Sequence, residues 1–307
     1  MTVFFVPDAL AGERLDAVAA RVSGYSRSRI EALIESGGVS LDGVNGLRRS
    51  HRVRGGEMLE IAVADLKPDV PISRPRNVSG LDIVFEDADI VVVDKPPGVA
   101  AHPSLGWGGP SVTEHLAANG VRISTSGAPE RQGVVQRLDV GTSGLMVLAR
   151  SESAYSILKQ AFRKRSVERG YHALVQGHPD PFTGTIEAPI GRHPSAEWKM
   201  AVLDGGRDSI THYQTLEAHR YATLLEVALE TGRTHQIRVH MEAIGHPCCG
   251  DPLYGSDPAL NDWLGLERQW LHAAKLGLTH PRSKEWIEFQ SPYPPDLAEA
   301  LEILRAG

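Results

Sequence analysis

The sequence predicts an α+β protein in two parts. A small α/β module spans residues 10–65, and a larger domain over 81–307 is built on a mixed, mostly antiparallel sheet with few helices. Three observations carry this reading. From Leu81 onward many short runs have strand character and only three stretches have helical amphipathicity. The strands follow one another without regular βαβ alternation, which points away from a doubly wound parallel sheet. Before Leu81 the pattern differs, with two helical periodicities, an arginine-rich stretch and then a proline-punctuated segment.

In the first module Leu15, Val18, Ala19 and Val22 recur at helical spacing. Asp16 falls in the first turn, where a negative charge favours the helix dipole. Ser26 is placed to cap a second helix carrying Ile30, Leu33 and Ile34, which Gly37 and Gly38 end. Residues 39–44 read as a strand entering a tight turn, and 58–63 alternate like a closing strand. Between Arg21 and Arg54 seven arginines (Arg21, Arg27, Arg29, Arg48, Arg49, Arg52, Arg54) stand against three acids (Glu31, Glu35, Asp42), a local excess of four positive charges. Such a run is either a solvated face or a phosphate-contacting surface, and charge alone leaves both open. Pro68, Pro71 and Pro75 mark residues 66–80 as a linker.

In the larger domain, residues 83–85 and 90–94 flank the acidic turn EDAD as two strands. RGYHALVQG, ITHYQTLEA, ATLLEVALE, WLHAAKLGL and EWIEFQ follow as further strand candidates. The helical stretches carry Ala154, Ile157, Leu158, Ala161 and Phe162; then Ile237, Met241 and Ile244; then Leu297, Ala300, Leu301 and Leu304.

Bulk properties narrow the function classes. The chain of 307 residues is 41% hydrophobic and 23% charged, as an ordinary folded protein is, and long enough for about two domains. A net charge of −6 argues against a uniformly basic nucleic-acid coat but leaves a local one open. No apolar run approaches the ~20 residues needed to span a bilayer, and the first residues lack a signal-peptide pattern, so the expected location is the cytoplasm with no membrane contact. Cys248 and Cys249 are adjacent, where a disulfide would be strained, and read as small packing residues. His235 and His240 are five apart, off one helical face, and neither a Cys-x-x-Cys pair nor His-Glu-x-x-His occurs, so no metal is expected. No Gly-x-Gly-x-x-Gly follows a strand, and a dinucleotide site is unsupported.

The tripeptide Arg-Leu-Asp occurs twice, at 14–16 and at 137–139. The first copy has its helix-opening role. The second lies between apolar runs, in VVQRLDVGTSGLMVLAR. With 134–138 as a strand, Asp139 falls where that strand runs out into Gly141-Thr142-Ser143-Gly144, a loop at the sheet margin able to face a cleft. The flanking glycines would let the backbone approach a ligand closely. By base rate an Asp before such a turn caps an Asx-turn. Two other segments shift that balance. Arg233, His235, Arg238, His240 and His246 crowd one short helix, a density that suits anion binding better than a core. Tyr171 shares a strand face with Ala173 and Val175, which lays its ring against an apolar wall.

The string QRLDVGTSGLMVLAR, with GYHALVQG, TGRTHQIRVH, GHPCCGDPLYG and WLHAAKLGLTHP downstream in that order, resembles the RluA/RluD family of RNA pseudouridine synthases. RLDAVAARVSGYSRSRIEALIESGGVSLDG resembles the S-four-type RNA-binding domain that many members carry in front. The resemblance implies a pseudouridine synthase catalytic domain over 81–307 and an RNA-binding module over 10–65. It also implies catalytic residues: Asp139 as the catalytic aspartate, Tyr171 as the tyrosine that stacks on the target base, and Arg238 as the basic partner of the aspartate. Leu271 matches an apolar pocket residue and Arg137 an arginine that helps hold the flipped nucleotide. Gln136 stands where the family usually has histidine; it can hydrogen-bond RNA but carries no charge. Thr142, Ser143, Arg233 and His235 complete the expected substrate-binding set, and Arg27, Arg29, Arg48, Arg49 and Arg52 the RNA-contacting set of the module.

The implied reaction breaks the bond from ring nitrogen to the anomeric carbon, turns the uracil and rejoins it through ring carbon 5. Nothing is oxidised and no atom is lost, so no cofactor is required. A carboxylate serves as nucleophile or as base at such a centre, and a neighbouring guanidinium favours its ionised form. The expected substrate is a structured RNA, large-subunit (23S) ribosomal RNA first and transfer RNA second, with no obligate protein partner. Two other readings stay open: a non-catalytic RNA-binding or ribosome-assembly factor, and a nucleoside-cleaving hydrolase using the same carboxylate.

Overall fold

The computed structural model describes residues 2–6, 10–23, 27–62, 76–104, 107–128, 131–196 and 198–306. Ser26 and residues 66–75 of the expected linker lie outside them, as do the side chains of Arg27 and Arg29. The chain divides into two compact units: Met1–Pro75 with His102–Gly108 and Gly127–Gln132, and the remainder.

The first unit has the elements β1 (Thr2–Phe5), α1 (Leu15–Ser23), α2 (Arg27–Glu35), β2 (Val39–Leu41) and β3 (Met58–Ile61). Its strands form one antiparallel sheet in the order β1-β3-β2. The predicted helical positions Leu15, Val18, Ala19, Ile30 and Ile34 form its core with Val39, Leu41, Leu59 and Ile61. Strand β1 lies ahead of the expected bounds 10–65 and adds an edge strand to the module. Asp16 sits in the first turn of α1, fully buried. Arg14, two residues before it, grips both its oxygens at 3.0 and 2.9 Å, and Ala17 N donates to the same carboxylate at 2.9 Å, so the first Arg-Leu-Asp forms a local ion pair at the helix start.

The second unit continues through β4 (Asp82–Glu86), β5 (Ile90–Lys95), α3 (Val112–Ala118), β6 (Ser143–Ala149), α4 (Glu152–Arg163), β7 (Glu168–Gln176), β8 (Thr183–Glu187), β9 (Ile190–Arg192), β10 (Met200–Val202), β11 (Ile210–Ala218), β12 (Ala222–Leu229), α5 (Gln236–Ala243), α6 (Pro258–Leu264), β13 (Leu271–Thr279), β14 (Trp286–Gln290) and α7 (Pro295–Ala306). A nine-stranded sheet in the order β4-β5-β6-β13-β7-β12-β11-β8, with β14 also on β13, forms its centre, and β9 and β10 make a separate hairpin. Every pairing in the large sheet is antiparallel except β6 with β13. The mixed, mostly antiparallel α+β architecture is the one the strand-rich pattern predicts.

Alternation along β7 separates two cores. Tyr171, Ala173 and Val175 join one apolar cluster with Leu225, Val227, Ile237 and Leu271. Leu174, from the opposite face, packs with Leu224, Trp270 and residues of α6 and α7. A third cluster holds α4 against β5 and β6 through Ala154, Leu158, Ile90 and Val147. Each fully buried side chain of this size contributes roughly 1.5–3 kcal/mol, so the sheet is a rigid mount for the loops at its margins.

Two expectations are corrected. Residues 134–138 are not a strand: a single bridge pairs Val134 with Leu148, and β6 begins only at Ser143. The glycines around Thr142 and Ser143 serve the fold rather than a ligand. A Cβ on Gly141 would fall 2.6 Å from Oε1 of Gln269. Gly144 has φ +110 and lies beside Ala273, where a Cβ would stand 2.4 Å from the carbonyl oxygen. That close approach is what permits the one parallel junction in the sheet.

Gly144→Ala should therefore cost at least ~3 kcal/mol, combining backbone strain with overpacking against a main chain that cannot yield. Gly120 has φ +73, but a Cβ added there would meet nothing within 4 Å, so Gly120→Ala should cost only about 1–2 kcal/mol. Urea unfolding of both variants checks the difference, and equal losses would show that the β6–β13 junction relaxes freely.

Candidate active site

Asp139 sits on the loop between Val134 and β6, and that loop is fastened from several sides. Its own turn closes by a bond from Thr142 N to Asp139 O at 3.1 Å. Lys95, at the end of β5, is fully buried and donates to the carbonyls of Pro96 (3.0 Å), Val99 (2.9 Å) and Val140 (3.3 Å). Gly98 N donates to the same Val140 carbonyl at 2.9 Å, and Arg268 to that of Gly141 at 2.9 Å. Burial pushes the Lys95 ammonium down to about 7, opposed by the negative charge of Asp139.

Among the described residues the Asp139 carboxylate accepts one hydrogen bond, through Oδ2 from Nη1 of Arg238 at 3.3 Å. Its side chain is 23% exposed and that of Arg238 is 4% exposed, so the carboxylate meets solvent while its arginine does not. Arg238, on α5, gives its Nε and Nη2 to Asp251 at 2.7 and 2.8 Å. Asp251 is fully enclosed, and its Oδ1 also accepts from the backbone of Leu253 (2.9 Å) and Tyr254 (3.2 Å). The guanidinium lies 4.9 Å from the centroid of the Tyr254 ring. Burial opposes the arginine's charge, but the bonds and charge of Asp251, with that of Asp139, outweigh it and raise its pKa.

Tyr171 is buried on β7, across from Val227. Leu271 stands across from Ala173, its neighbour on the same face. Leu138, Ile237, Tyr171 and Leu271 belong to one apolar cluster. The residues that immediately precede Asp139 and Arg238 thus share an apolar cluster with Tyr171, and the Tyr171 phenol lies within reach of the Asp139 charge. Burial pushes the Tyr171 phenol up, an effect Asp139 reinforces and Arg169 opposes.

Other expected site residues divide. Arg137 is exposed and bonds Thr234 Oγ1. The Nε2 of Gln136 is buried without a partner among the described residues. His235 begins α5 with φ 56, and its Nδ1 shares a 2.8 Å hydrogen bond with the Tyr254 hydroxyl; burial lowers its pKa. Arg233 bonds the carbonyl of Asp208 at 3.2 Å. Thr142 and Ser143, expected to face substrate, are instead turned inward: Gln269 Nε2 donates to Thr142 Oγ1 at 3.2 Å, and Ser143 Oγ donates to His272 Nδ1 at 3.0 Å. The cationic and histidine residues expected to crowd one helix are spread over it and its flanks, with only Arg238 and His240 inside α5, His235 as its N-cap and His246 beyond its end. His240 is fully buried between Thr211 Oγ1 (2.8 Å) and Ala188 O (3.0 Å), and His246 donates to Gln176 O at 2.8 Å. In the first unit Arg48, Arg49 and Arg52 are exposed; Arg49 pairs with Glu31 at 3.3 Å and Arg52 donates to Gly12 O at 2.9 Å.

Sequence reasoning missed Lys95, Asp251 and Tyr254. A lysine ending the run IVVVDK was a usable signal, because a cation at the end of a buried strand requires acceptors. Asp251 and Tyr254 lie within the quoted GHPCCGDPLYG, with nothing in the linear order to show that they meet Arg238.

His272 follows Leu271 on β13, and burial pushes its pKa down to about 4. A histidine held neutral in the fold stabilises it fully above about pH 6.5, and that contribution is lost as pH falls from 6.5 toward 4. The loss should approach ~3 kcal/mol. Urea unfolding at pH 7 and pH 4.5 should show His272→Gln losing less stability on acidification than the parent; an identical drop would place the acid sensitivity elsewhere.

Residues 89–243 match the family described as RNA pseudouridylate synthase, a span that includes Asp139, Tyr171 and Arg238. An uncharacterized RNA pseudouridine synthase of Mycobacterium bovis is 56% identical over 303 residues, covering 98% of this chain and 97% of the relative. Ribosomal large subunit pseudouridine synthase D of Nitrosomonas europaea is 41% identical over 306 residues, covering 98% and 87%. Among solved structures, human RNA pseudouridylate synthase domain containing 1 aligns with a TM-score of 0.59 at 27% identity, over 76% of this chain and 98% of that one. With the α+β sheet and the Asp139–Arg238 pair already in place, these matches show that the chain belongs to the RNA pseudouridine synthase family, enzymes that isomerise uridine in RNA.

Proposed function

We propose that this synthase acts on large-subunit ribosomal RNA and that Asp139 carries the glycosidic step, with Arg238 beside it and Tyr171 beneath the base. The observation that supports this most is the partly exposed Asp139 carboxylate, bonded through a single oxygen to a buried arginine beside an apolar cluster. A target uridine in folded RNA has to leave its stack, which costs roughly a few kcal/mol. The Tyr171 ring offers stacking worth about 1–3 kcal/mol per base in return. The bond from N1 to C1′ then breaks, the uracil turns within the site, C5 bonds to C1′, and the proton lost from C5 is balanced by one taken up at N1, so product and substrate have the same atoms. The carboxylate supplies negative charge at the anomeric carbon throughout, and Arg238 keeps it ionised in an otherwise apolar setting.

The ribosomal substrate follows the relatives at about this similarity, several of which carry the name ribosomal large subunit pseudouridine synthase D. The module over residues 10–65 is assigned to RNA grip, with the exposed Arg48, Arg49 and Arg52 as its phosphate contacts.

Asp139→Asn should lower pseudouridine formation by at least ~10³-fold while changing RNA affinity less than about twofold; retained turnover would refute the assignment. A site-resolved pseudouridine map of ribosomal and transfer RNA, with and without the gene, should lose positions in large-subunit RNA, and losses confined to transfer RNA would overturn the substrate. The triple change of Arg48, Arg49 and Arg52 to Ala should reduce the slope of log affinity against log salt by about 2–3. An unchanged slope would leave those arginines as solvated surface.

A further inference from the structure

We infer that Asp251 is a positioning residue for the reaction: it takes the side fork of Arg238 so that Asp139 receives a single, longer hydrogen bond and keeps one oxygen free to react. This rests on the reading of Asp139 as the reacting carboxylate and adds a second acid to it.

The geometry is unequal between the two acids. Asp251 holds Nε and Nη2 at 2.7 and 2.8 Å, within the range of strong charge-assisted bonds, whereas Asp139 meets only Nη1 at 3.3 Å. Asp251 cannot follow the arginine elsewhere, because backbone N–H groups of Leu253 and Tyr254 pin its Oδ1. The Tyr254 ring lies 4.9 Å from the guanidinium carbon, and its hydroxyl is in turn held by His235 Nδ1 at 2.8 Å and Met200 N at 2.9 Å. The plane of the guanidinium is therefore set from the Asp251 side. Asp139 Oδ1 accepts no hydrogen bond from the described residues.

An arginine facing one carboxylate alone grips both its oxygens. That arrangement would stabilise Asp139 in the ground state and tie up the lone pairs the reaction uses, which lowers turnover rather than raising it. By occupying the side fork, Asp251 leaves Arg238 able to balance the charge of Asp139 without capturing it. The consequence for Asp251→Asn is specific. The amide oxygen still accepts from Leu253 and Tyr254, but the charge and one acceptor are gone, and the guanidinium turns toward Asp139.

The test is a double-mutant cycle on single-turnover rate and RNA affinity. Asp251→Asn should slow pseudouridine formation ~10–100-fold with the Kd for RNA within about twofold. In an Arg238→Lys background, which lacks a fork, the same change should alter the rate no more than about twofold. Multiplicative rate losses, or a Kd that worsens as much as the rate, would mean that Asp251 acts on the fold and not through Arg238. A second measurement does not depend on Asp251→Asn folding. If Asp251 is the main anchor, removing the other carboxylate in Asp139→Ala leaves the thermal midpoint within ~2 °C, and a fall beyond ~5 °C overturns the inference. Turnover surviving in Asp139→Asn would instead sink the underlying assignment, so the two failures are separable.

Discussion

The site depends on one buried arginine shared between two carboxylates. Arg238 leaves water almost completely, and a cation in that position is tolerable only with excellent hydrogen-bonding geometry. Asp251 supplies that geometry, and Asp139, more open to solvent, takes what remains of the charge. Three separate pieces of chain are fixed by this arrangement: α5, the turn at residues 251–254 and the loop at 136–142. Lys95 ties the last of these to the segment after β5 by donating to the carbonyls of Val140, Pro96 and Val99. The reacting group is thus mobile in none of its supports yet lightly bonded itself, which is the combination that preorganised chemistry needs.

The two Arg-Leu-Asp tripeptides show how one local sequence serves opposite ends. In the first, Arg14 turns back onto Asp16 and closes the pair within three residues, with the carboxylate sealed in the first turn of a helix. In the second, Arg137 reaches away to Thr234 and leaves Asp139 for a partner 99 residues distant. The difference lies in the backbone. Arg14 stands just ahead of α1 and reaches the aspartate of its first turn, where the helix dipole also favours a negative charge, while the irregular loop before β6 points the arginine and the aspartate to different neighbours.

Several residues of ligand-binding type are consumed by the fold. His240, His246 and His272 each satisfy a main-chain carbonyl, and Ser143 donates to His272 rather than to a substrate. These bonds lie near the strand ends and turns where the sheet would otherwise bury unpaired polar groups, each worth about 1–3 kcal/mol if left unmade. Gly144, beside Ser143, belongs to the same construction, since it lets β6 run against β13 in parallel.

By itself the sequence determined the strand-rich α+β class, nearly every long strand and the three main helices of the second unit, because period-2 and period-3.6 patterns are local and survive without knowledge of partners. It also singled out Asp139, Tyr171, Arg238 and Leu271, whose motif spacing is itself a linear property. Short elements such as α3, α6 and β8–β10 escaped, having too few residues to show a period. Only the tertiary structure decided that Asp251 and Tyr254 hold Arg238, that Thr142 and Ser143 face inward, and that Lys95 lies beneath the loop of Asp139. Those are choices of partner between residues far apart in the chain, made by the sheet's register and by the requirement that each buried charge or polar group find its complement, and no local pattern encodes them.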